Sequence, residues 1–163
     1  LETARKLSDK PNIKFALAGD GPLMSMLESN NPGNLALLGK LQANDIAALL
    51  ISSDAFCLPT RSEGFSTSLL EAAACYTTPI ITNVGGVPEM IPDDKFGIIL
   101  RSQSSDEIAE RITELQKSPE LNSEIAQNIG RRVREEFSWY KTAEKTLQAC
   151  KDANSNRADP NRA

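Results

Sequence analysis

Residues 59–71 read PTRSEGFSTSLLE and bring charged and hydroxyl side chains together near the middle of the chain. Glu63 and Glu71 supply two carboxylates, and Arg61 supplies a positive charge close to the first of them. Carboxylates accept hydrogen bonds from ligand hydroxyls, whereas an arginine pairs with phosphate. The segment therefore has the residue types needed to bind a ligand that carries both phosphates and hydroxyls.

An apolar strand pattern precedes this segment and a helical pattern follows it, which is the junction at which α/β proteins place ligands. Gly64 permits a sharp turn and a close approach of the backbone to a ligand. The free N–H groups of residues 65–68, the hydroxyls of Ser66, Thr67 and Ser68, and the positive helix end would together form an anion site. An ordinary capped loop between strand and helix explains the local pattern equally well.

Glu71 lies in the apolar sequence LLEAAA of residues 69–74, where a buried carboxylate needs a hydrogen-bond donor from a neighbour or a ligand. A capping box formed by Ser68 and Glu71 is the alternative explanation. If Ser66 or Thr67 caps the helix instead, Glu71 moves into the second helical turn. It would then face outward from the same end of the sheet as Glu63.

Short apolar runs alternate with helical patterns along the chain. The predicted strands cover residues 13–19, 35–39, 55–59, 79–82 and 96–100, and most are apolar nearly throughout. Continuous rather than alternating hydrophobicity is typical of parallel strands that are covered on both faces. We therefore predict an α/β protein with a Rossmann-like, doubly wound parallel sheet.

Capping residues mark the predicted helices. Asn44 and Asp45 precede the first of them, and Ser104 with Glu107 has the spacing of a capping box. Ser118 and a following proline open a further helix. Helices are predicted over residues 46–51, 68–76, 108–117, from 118 onward, and over 138–152.

Length and charge restrict the possible functions. The 163 residues suffice for one compact domain, and a net charge of −4 gives no electrostatic reason to bind nucleic acid or an anionic membrane. The basic cluster of Arg131, Arg132 and Arg134 is followed by two glutamates and is interpreted as a solvated helix face. No apolar run approaches the roughly twenty residues that span a bilayer.

The cysteines and the absence of histidine narrow the chemistry further. Cys57, Cys75 and Cys150 are odd in number and widely spaced, which favours reduced thiols in a cytoplasmic protein. Without histidine, the chain has no imidazole base and no His-bound metal. The acidic pair Asp93 and Asp94 is interpreted as a solvated turn, so we expect no metal cofactor.

Five motifs occur in an order that resembles a known enzyme family. Glu63 and Glu71, with seven residues between them, resemble the E-x7-E signature of retaining glycosyltransferases of group 1, family 4. Residues 19–22 (GDGP), 38–41 (LGKL), 84–89 (VGGVPE) and 137–139 (FSW) are similar to further motifs of that family. The resemblance covers residues 14–151, nearly the whole chain.

The resemblance implies the C-terminal, donor-binding half of a GT-B fold. Residues 1–152 would form an N-terminally truncated nucleotide-sugar-binding domain, because Leu1, Ala4 and Leu7 recur at helical spacing without a preceding cap. Residues 153–163 would form a polar, disordered tail. The N-terminal acceptor domain of the same protein would be the missing partner, and any peripheral membrane association would depend on it.

The family's site residues carry over to matching positions. Glu63 would contact hydroxyls of the transferred sugar as the catalytic residue, and Glu71 would accept hydrogen bonds from the ribose. The backbone amides of Phe65, Ser66 and Thr67, beside Gly64, would bind the diphosphate, and Arg61 would add a positive charge. The main chain at Lys40 and Leu41 would contact the base. Asp20 and Gly21 would line the nearby strand end.

The resemblance also implies transfer of a sugar from a nucleotide-diphosphate sugar to an acceptor hydroxyl, with the anomeric configuration retained. The departing diphosphate helps to deprotonate the acceptor, so charge stabilisation matters more than a strong protein base. The family's basic pair, an Arg and a Lys, usually lies upstream of Leu1, so we expect no transferase activity from this chain alone. Tyr76 replaces a common glycine at a helix end and is interpreted as a packing residue rather than a donor contact.

Two other functions remain open at this point. A sugar-nucleotide epimerase shares the two-domain fold but normally relies on acidic and histidine side chains in its cleft. A non-catalytic, doubly wound interaction domain would reduce Glu63 to a turn residue and Glu71 to a cap. The breadth of the resembled family favours cell-surface polysaccharide or lipopolysaccharide synthesis as the setting.

Overall fold

A computed structural model describes residues 1–157, in which helices and parallel strands alternate. The strands are β1 (Phe15–Ala18), β2 (Leu35–Gly39), β3 (Ala55–Leu58), β4 (Thr78–Thr82) and β5 (Ile98–Leu100). The helices are α1 (Glu2–Lys6), α2 (Met24–Ser29), α3 (Ala43–Ile51), α4 (Thr67–Ala74), α5 (Val87–Met90), α6 (Ser105–Gln116), α7 (Pro119–Glu136) and α8 (Trp139–Arg157). Each strand falls within one residue of its predicted range or inside it.

The predicted α/β class with parallel strands is confirmed, but the strands form two sheets rather than one. β1 pairs with β2, and β3, β4 and β5 form a second sheet with β4 in the centre. Within residues 1–157 no ladder joins the two sheets. Helices pack between the two parts of the chain, with α1 against α6 and α3 against α4.

The main core lies between the three-stranded sheet and helices α4 and α7. Every residue of β4 is buried, because β3 and β5 flank the strand and α4 and α7 pack on it. Leu69, Ile81, Met90 and Ile129 are completely buried in this cluster. Burial of each such side chain contributes about 1.5–3 kcal/mol, so this cluster supplies a large share of the fold's hydrophobic stabilisation.

Helix α4 ends in a Schellman motif built on a tyrosine. The N–H of Thr77 donates to the carbonyl of Ala72, the N–H of Tyr76 donates to that of Ala73, and Tyr76 has φ +59°. That conformation favours glycine. Packing compensates, because the Tyr76 ring lies against Gly130 and the Arg134 guanidinium stacks on it at 5.0 Å.

The interpretation of the basic cluster as a solvated helix face is wrong for two of its three arginines. Arg134 donates to the carbonyl of Ala74 at the end of α4. Arg132 donates to the carbonyls of Glu89 and Met90 at the end of α5. Each guanidinium completes the hydrogen bonding of a helix terminus, which an Arg can do because its donors form a planar fork.

Several helix boundaries and one helix cap differ from the prediction. Gln42 is the N-cap of α3, so Asn44 and Asp45 lie inside its first turn. Ser104 caps α6 as predicted, but Glu107 turns back to residues 101 and 102 instead of completing a capping box. Helix α8 continues to Arg157, five residues beyond its predicted end, and the rest of the predicted tail lies outside the described residues.

Candidate functional site

Because the strands of each sheet are parallel, the loops that follow them leave from the carboxyl edge of that sheet. Asp20, Gly21, Lys40 and Leu41 follow β1 and β2, whereas the segment from Arg61 to Glu71 follows β3. The predicted site residues therefore fall into two groups, one on each sheet. In the described part of the chain no hydrogen bond or ion pair joins the two groups.

The first group is built on two glycine turns. The N–H of Gly19 donates to the carbonyl of Gly39 at 2.7 Å, and both residues have positive φ, which links the two loops at their start. Asp20 accepts a hydrogen bond from the N–H of Gly21 at 2.8 Å, and its side chain is exposed. Lys40 is exposed and Leu41 is half-buried, so this rim offers main-chain groups and one cation to a ligand.

The second group lies on a loop that neighbouring strands hold at its start. The carbonyl of Thr60 accepts hydrogen bonds from the Thr82 hydroxyl at 2.5 Å and from the Gln103 amide at 3.1 Å. Thr82 is the last residue of β4, and Gln103 follows β5. The carboxyl ends of all three strands of this sheet thus fix the loop.

Two glycines allow the middle of the same loop to pack closely on the segment after β4. A Cβ atom at Gly85 would lie 1.9 Å from the carbonyl oxygen of Glu63, and one at Gly86 would lie 2.8 Å from the Phe65 ring. The N–H of Gly86 also donates to the carbonyl of Gly64 at 2.8 Å. The motif at residues 84–86 therefore shapes the backbone that presents Glu63.

Helix α4 begins at the end of this loop and offers unpaired N–H groups. Ser66, one of the three candidate caps, is the N-cap, and its hydroxyl accepts from the N–H of Leu69 at 3.3 Å. The N–H groups of Thr67 and Ser68 have no acceptor among residues 1–157. With the positive helix end, these groups can bind an anion, and the hydroxyl of exposed Thr67 adds a donor.

The two glutamates differ in exposure, and neither has a hydrogen-bond or ion-pair partner in the described residues. Glu63 is half-buried, whereas Glu71 is exposed. The premise that Glu71 is buried among apolar neighbours is wrong, because Leu69, Ala72 and Ala73 take the buried faces of the helix. The capping box with Ser68 is excluded, since the cap at Ser66 places Glu71 in the second turn.

Glu71 lies in an open groove of about 270 Å³ between α4 and the end of α7. Arg134, Phe137 and Ser138 contribute to its wall. Two residues of the FSW motif, Phe137 and Ser138, therefore line the same groove as Glu71. The Phe65 ring is close by, with its centroid 6.0 Å from that of Phe137. A larger concavity of about 580 Å³ is lined by residues of α7 alone and contains none of the predicted site residues.

Four supporting residues were not predicted as part of the site: Thr82, Gly85, Gly86 and Gln103. The two glycines had a sequence signal, because they belong to the segment VGGVPE that was noted for its resemblance. Thr82 and Gln103 had none, since each acts through one long-range hydrogen bond to the carbonyl of Thr60.

The structure offers neither a reactive thiol at Cys57 nor a cluster of metal-binding side chains among residues 1–157. Although part of Cys57 is solvent-exposed, burial of its thiol raises the pKa to about 11. The thiol is therefore protonated and weakly nucleophilic at neutral pH. Among residues 1–157 the structure groups no three Cys, Asp or Glu side chains that could hold a metal ion, and none of the helices there has the length and hydropathy to cross a membrane.

Parallel strands with helices between them, and a loop at the strand carboxyl ends that leads into a helix with unpaired N–H groups at its start, define a Rossmann-like domain of the kind that forms half of a GT-B fold. Residues 1–132 match the sequence profile of the family described as glycosyl transferases group 1. The chain belongs to the group 1 glycosyltransferase family.

Individual relatives agree with that assignment. The chain is 31% identical over 134 residues to an uncharacterized glycosyltransferase of Methanocaldococcus jannaschii, covering 80% of this chain and 38% of that protein. The C-terminal domain of a group 1 family glycosyl transferase from Francisella tularensis superimposes with a TM-score of 0.73 at 25% identity, over 85% of this chain and 77% of that one.

A solved complex has the same fold at lower identity. HepE of Anabaena in complex with UDP-glucose superimposes with a TM-score of 0.79 at 18% identity, over 93% of this chain and 44% of that one. Across the curated relatives it matches, the chain spans between 28% and 38% of their length.

Proposed function

We propose that this chain is the donor-binding, C-terminal half of a retaining glycosyltransferase and that it binds a nucleotide-diphosphate sugar at the start of α4. The observation that carries the proposal is the pair of unpaired N–H groups on Thr67 and Ser68, which in the sequence stand between Glu63 and Glu71, two carboxylates that lack partners in the described residues. The segment thus combines donors for phosphate with acceptors for sugar hydroxyls. HepE, which has the same fold, binds UDP-glucose.

In this proposal each group of the site has a separate task. The backbone amides of residues 65–68 bind the diphosphate, Glu63 contacts hydroxyls of the transferred sugar, and Glu71 accepts hydrogen bonds from the ribose. The main chain at Lys40 and Leu41 contacts the base, with Asp20 and Gly21 beside it. No metal is required, because helix amides and the missing basic pair neutralise the diphosphate.

The proposed reaction moves a hexosyl group to an acceptor hydroxyl with retention. The bond between the anomeric carbon and the diphosphate oxygen breaks, and a bond to the acceptor oxygen forms on the same face. The proton of the acceptor hydroxyl passes to the departing diphosphate. The role of this chain is to stabilise the negative charge on that leaving group and to orient the sugar.

The rest of the enzyme lies outside this chain in our proposal. An N-terminal domain binds the acceptor, and a strand that precedes Leu1 lies between β1 and β3. The exposure of β1 supports the presence of such a strand in the whole protein, because β1 is apolar and yet three of its four residues are exposed. We place the enzyme in the cytoplasm, where its three free thiols stay reduced, and in polysaccharide synthesis.

The relatives named above are glycosyltransferases by description, which favours transfer over epimerisation. An interaction domain without catalysis does not need unpaired amides at a helix start beside two free carboxylates. We find no observation that favours either alternative over glycosyl transfer.

Calorimetric titration with UDP, GDP and ADP tests donor binding. We expect the chain to bind one of them and Glu71→Ala to weaken that binding at least tenfold, while the midpoint of unfolding stays unchanged. Glu124→Ala, on the outer face of α7, is the matched control and should bind normally. Unchanged affinity in Glu71→Ala would contradict the ribose contact, and no binding of any nucleotide would contradict the proposed function.

A further inference from the structure

Gln103 connects the loop after β5 to the site loop through both ends of its amide group. Its Nε2 atom donates to the carbonyl of Thr60 at 3.1 Å, and its Oε1 atom accepts from Nε of Arg61 at 3.2 Å. A flipped amide would place oxygen against oxygen and nitrogen against nitrogen, so the two contacts define a single orientation. One side chain therefore holds two consecutive residues of the site loop.

The backbone that carries Gln103 is itself held in place. Glu107 accepts hydrogen bonds from the N–H of Arg101, the N–H of Ser102 and the hydroxyl of Ser102, at 2.7–2.9 Å. The Ser102 hydroxyl in turn accepts from the N–H of Ser104 at 3.2 Å. This explains why Glu107 does not complete the predicted capping box: its carboxylate orders the loop instead.

The contact with Gln103 leaves most of the Arg61 guanidinium available. Its Nε–H is used by Gln103, whereas the two terminal nitrogens have no acceptor in the described part of the chain. Arg61 is exposed and lies on the loop that leads into α4. A guanidinium that is fixed at Nε and free at its outer edge can bind two oxygens of a phosphate group.

We infer that Gln103 is a positioning residue that orients the Arg61 guanidinium toward the diphosphate of the donor. The inference rests on the proposed function and adds a cation to it, in a chain that otherwise offers mainly backbone amides for the leaving group. Tethering at Nε reduces the rotamer freedom that a free arginine would lose on binding. Glu107 acts one step further away, by ordering the loop on which Gln103 lies.

Titration with a nucleoside diphosphate and with the same nucleoside lacking phosphate tests this role. Using whichever of UDP, GDP and ADP the unmodified chain binds, we expect Gln103→Ala to weaken diphosphate binding about threefold to tenfold, which corresponds to the net contribution of one ordinary hydrogen bond. Binding of the nucleoside should not change. Glu107→Gln should produce a smaller loss with the same preference for the diphosphate.

A double-mutant cycle identifies the partner. In the Arg61→Ala background, Gln103→Ala should cause no further loss of diphosphate affinity, because the group that it orients is gone. Gln127→Ala, which changes an exposed glutamine on α7, is the matched control and should bind both ligands normally. Thermal unfolding of each variant shows whether it is folded.

Two results would overturn the inference. Equal losses for nucleoside and diphosphate would show that Gln103 only maintains the loop, and a loss that persists in the Arg61→Ala background would show that it acts without Arg61. Normal diphosphate binding by Gln103→Ala contradicts this inference alone. Failure of the unmodified chain to bind any diphosphate contradicts the proposed function itself.

Discussion

The two sheets contain strands of similar apolar character in very different surroundings. β1 reads FALA and β4 reads TPIIT, and both follow the pattern of apolar strands covered on two faces. All five residues of β4 are buried, whereas three of the four residues of β1 are exposed. The difference arises because β4 has strands on both sides and helices packed on it, while β1 has β2 as its single pairing partner within residues 1–157.

The comparison shows that an apolar run predicts where a strand forms but not how deeply it is buried. Burial depends on which strands and helices lie beside it, and these can come from distant parts of the chain. The two-stranded sheet carries the proposed base-binding loops and the three-stranded sheet carries the proposed phosphate-binding loop. The proposed site therefore combines loops from a well-buried sheet with loops from a largely exposed one.

Truncation of one aliphatic side chain in each sheet should produce the largest contrast. Ile81 is completely buried in β4, so Ile81→Ala should lower the free energy of unfolding by about 3 kcal/mol. Leu17 in β1 is 36% exposed, and Leu17→Ala should cost less than about 1 kcal/mol. Urea denaturation measures both. Similar losses would show that the two sheets are equally well packed.

Glycine-to-alanine substitutions should also affect stability differently in the two regions of the chain, the one around the three-stranded sheet and the one around the two-stranded sheet. A Cβ atom at Gly130 would lie 2.3 Å from the Tyr76 ring, so Gly130→Ala should destabilise the chain by about 2 kcal/mol. Gly21 has nothing within 4 Å of a Cβ atom, and Gly21→Ala should change stability by less than about 0.5 kcal/mol.

The Gly130 prediction has an internal check. In the Tyr76→Gly background the ring is absent, so Gly130→Ala should become neutral or stabilising by up to about 1 kcal/mol, as alanine normally is within a helix. If the loss persists without the ring, the contact with Tyr76 is not its cause.

Removal of the side-chain cap of α4 should lower stability moderately, whereas a similar substitution in α2, which has no side-chain cap, should have almost no effect. The Ser66 hydroxyl caps α4, so Ser66→Ala should cost about 1 kcal/mol in urea denaturation. Helix α2 has Leu23 as its N-cap with no side-chain hydrogen bond, and Ser25→Ala in its first turn serves as the control. Equal effects would mean that the cap does not stabilise α4.

The smallest expected effect is a dependence on acid pH. Hydrogen bonds from the N–H of Arg101 and from Ser102 lower the pKa of Glu107 below 4.5 in the folded chain. A depressed folded pKa adds stability above the unfolded value, and that stability is lost as the pH falls from about 4.5 through the folded pKa. Glu107→Gln should therefore flatten the decline in stability as the pH falls below about 4.5, with Glu28→Gln, an exposed substitution on α2, as the control. Parallel curves for Glu107→Gln and the unmodified chain would contradict this.

Local chemistry could be predicted from the sequence, whereas long-range contacts could not. The strand positions followed from apolar runs between turn residues, and Ser66 was recognised as a cap because its hydroxyl acts only three residues away. The division of the sheet was missed, since pairing between strands is not encoded in either strand alone. Gln103 was missed because it acts on a residue 43 positions earlier through a single hydrogen bond.

Chemical-shift mapping of the isotope-labelled chain tests the central claim most directly. On addition of the best-binding nucleotide among UDP, GDP and ADP, we expect the largest changes at the amides of residues 64–71, above all Thr67 and Ser68. Smaller changes should occur at residues 20–21 and 40–41 across the gap between the sheets. Saturating changes confined to other parts of the chain, or no response at residues 64–71, would contradict the account.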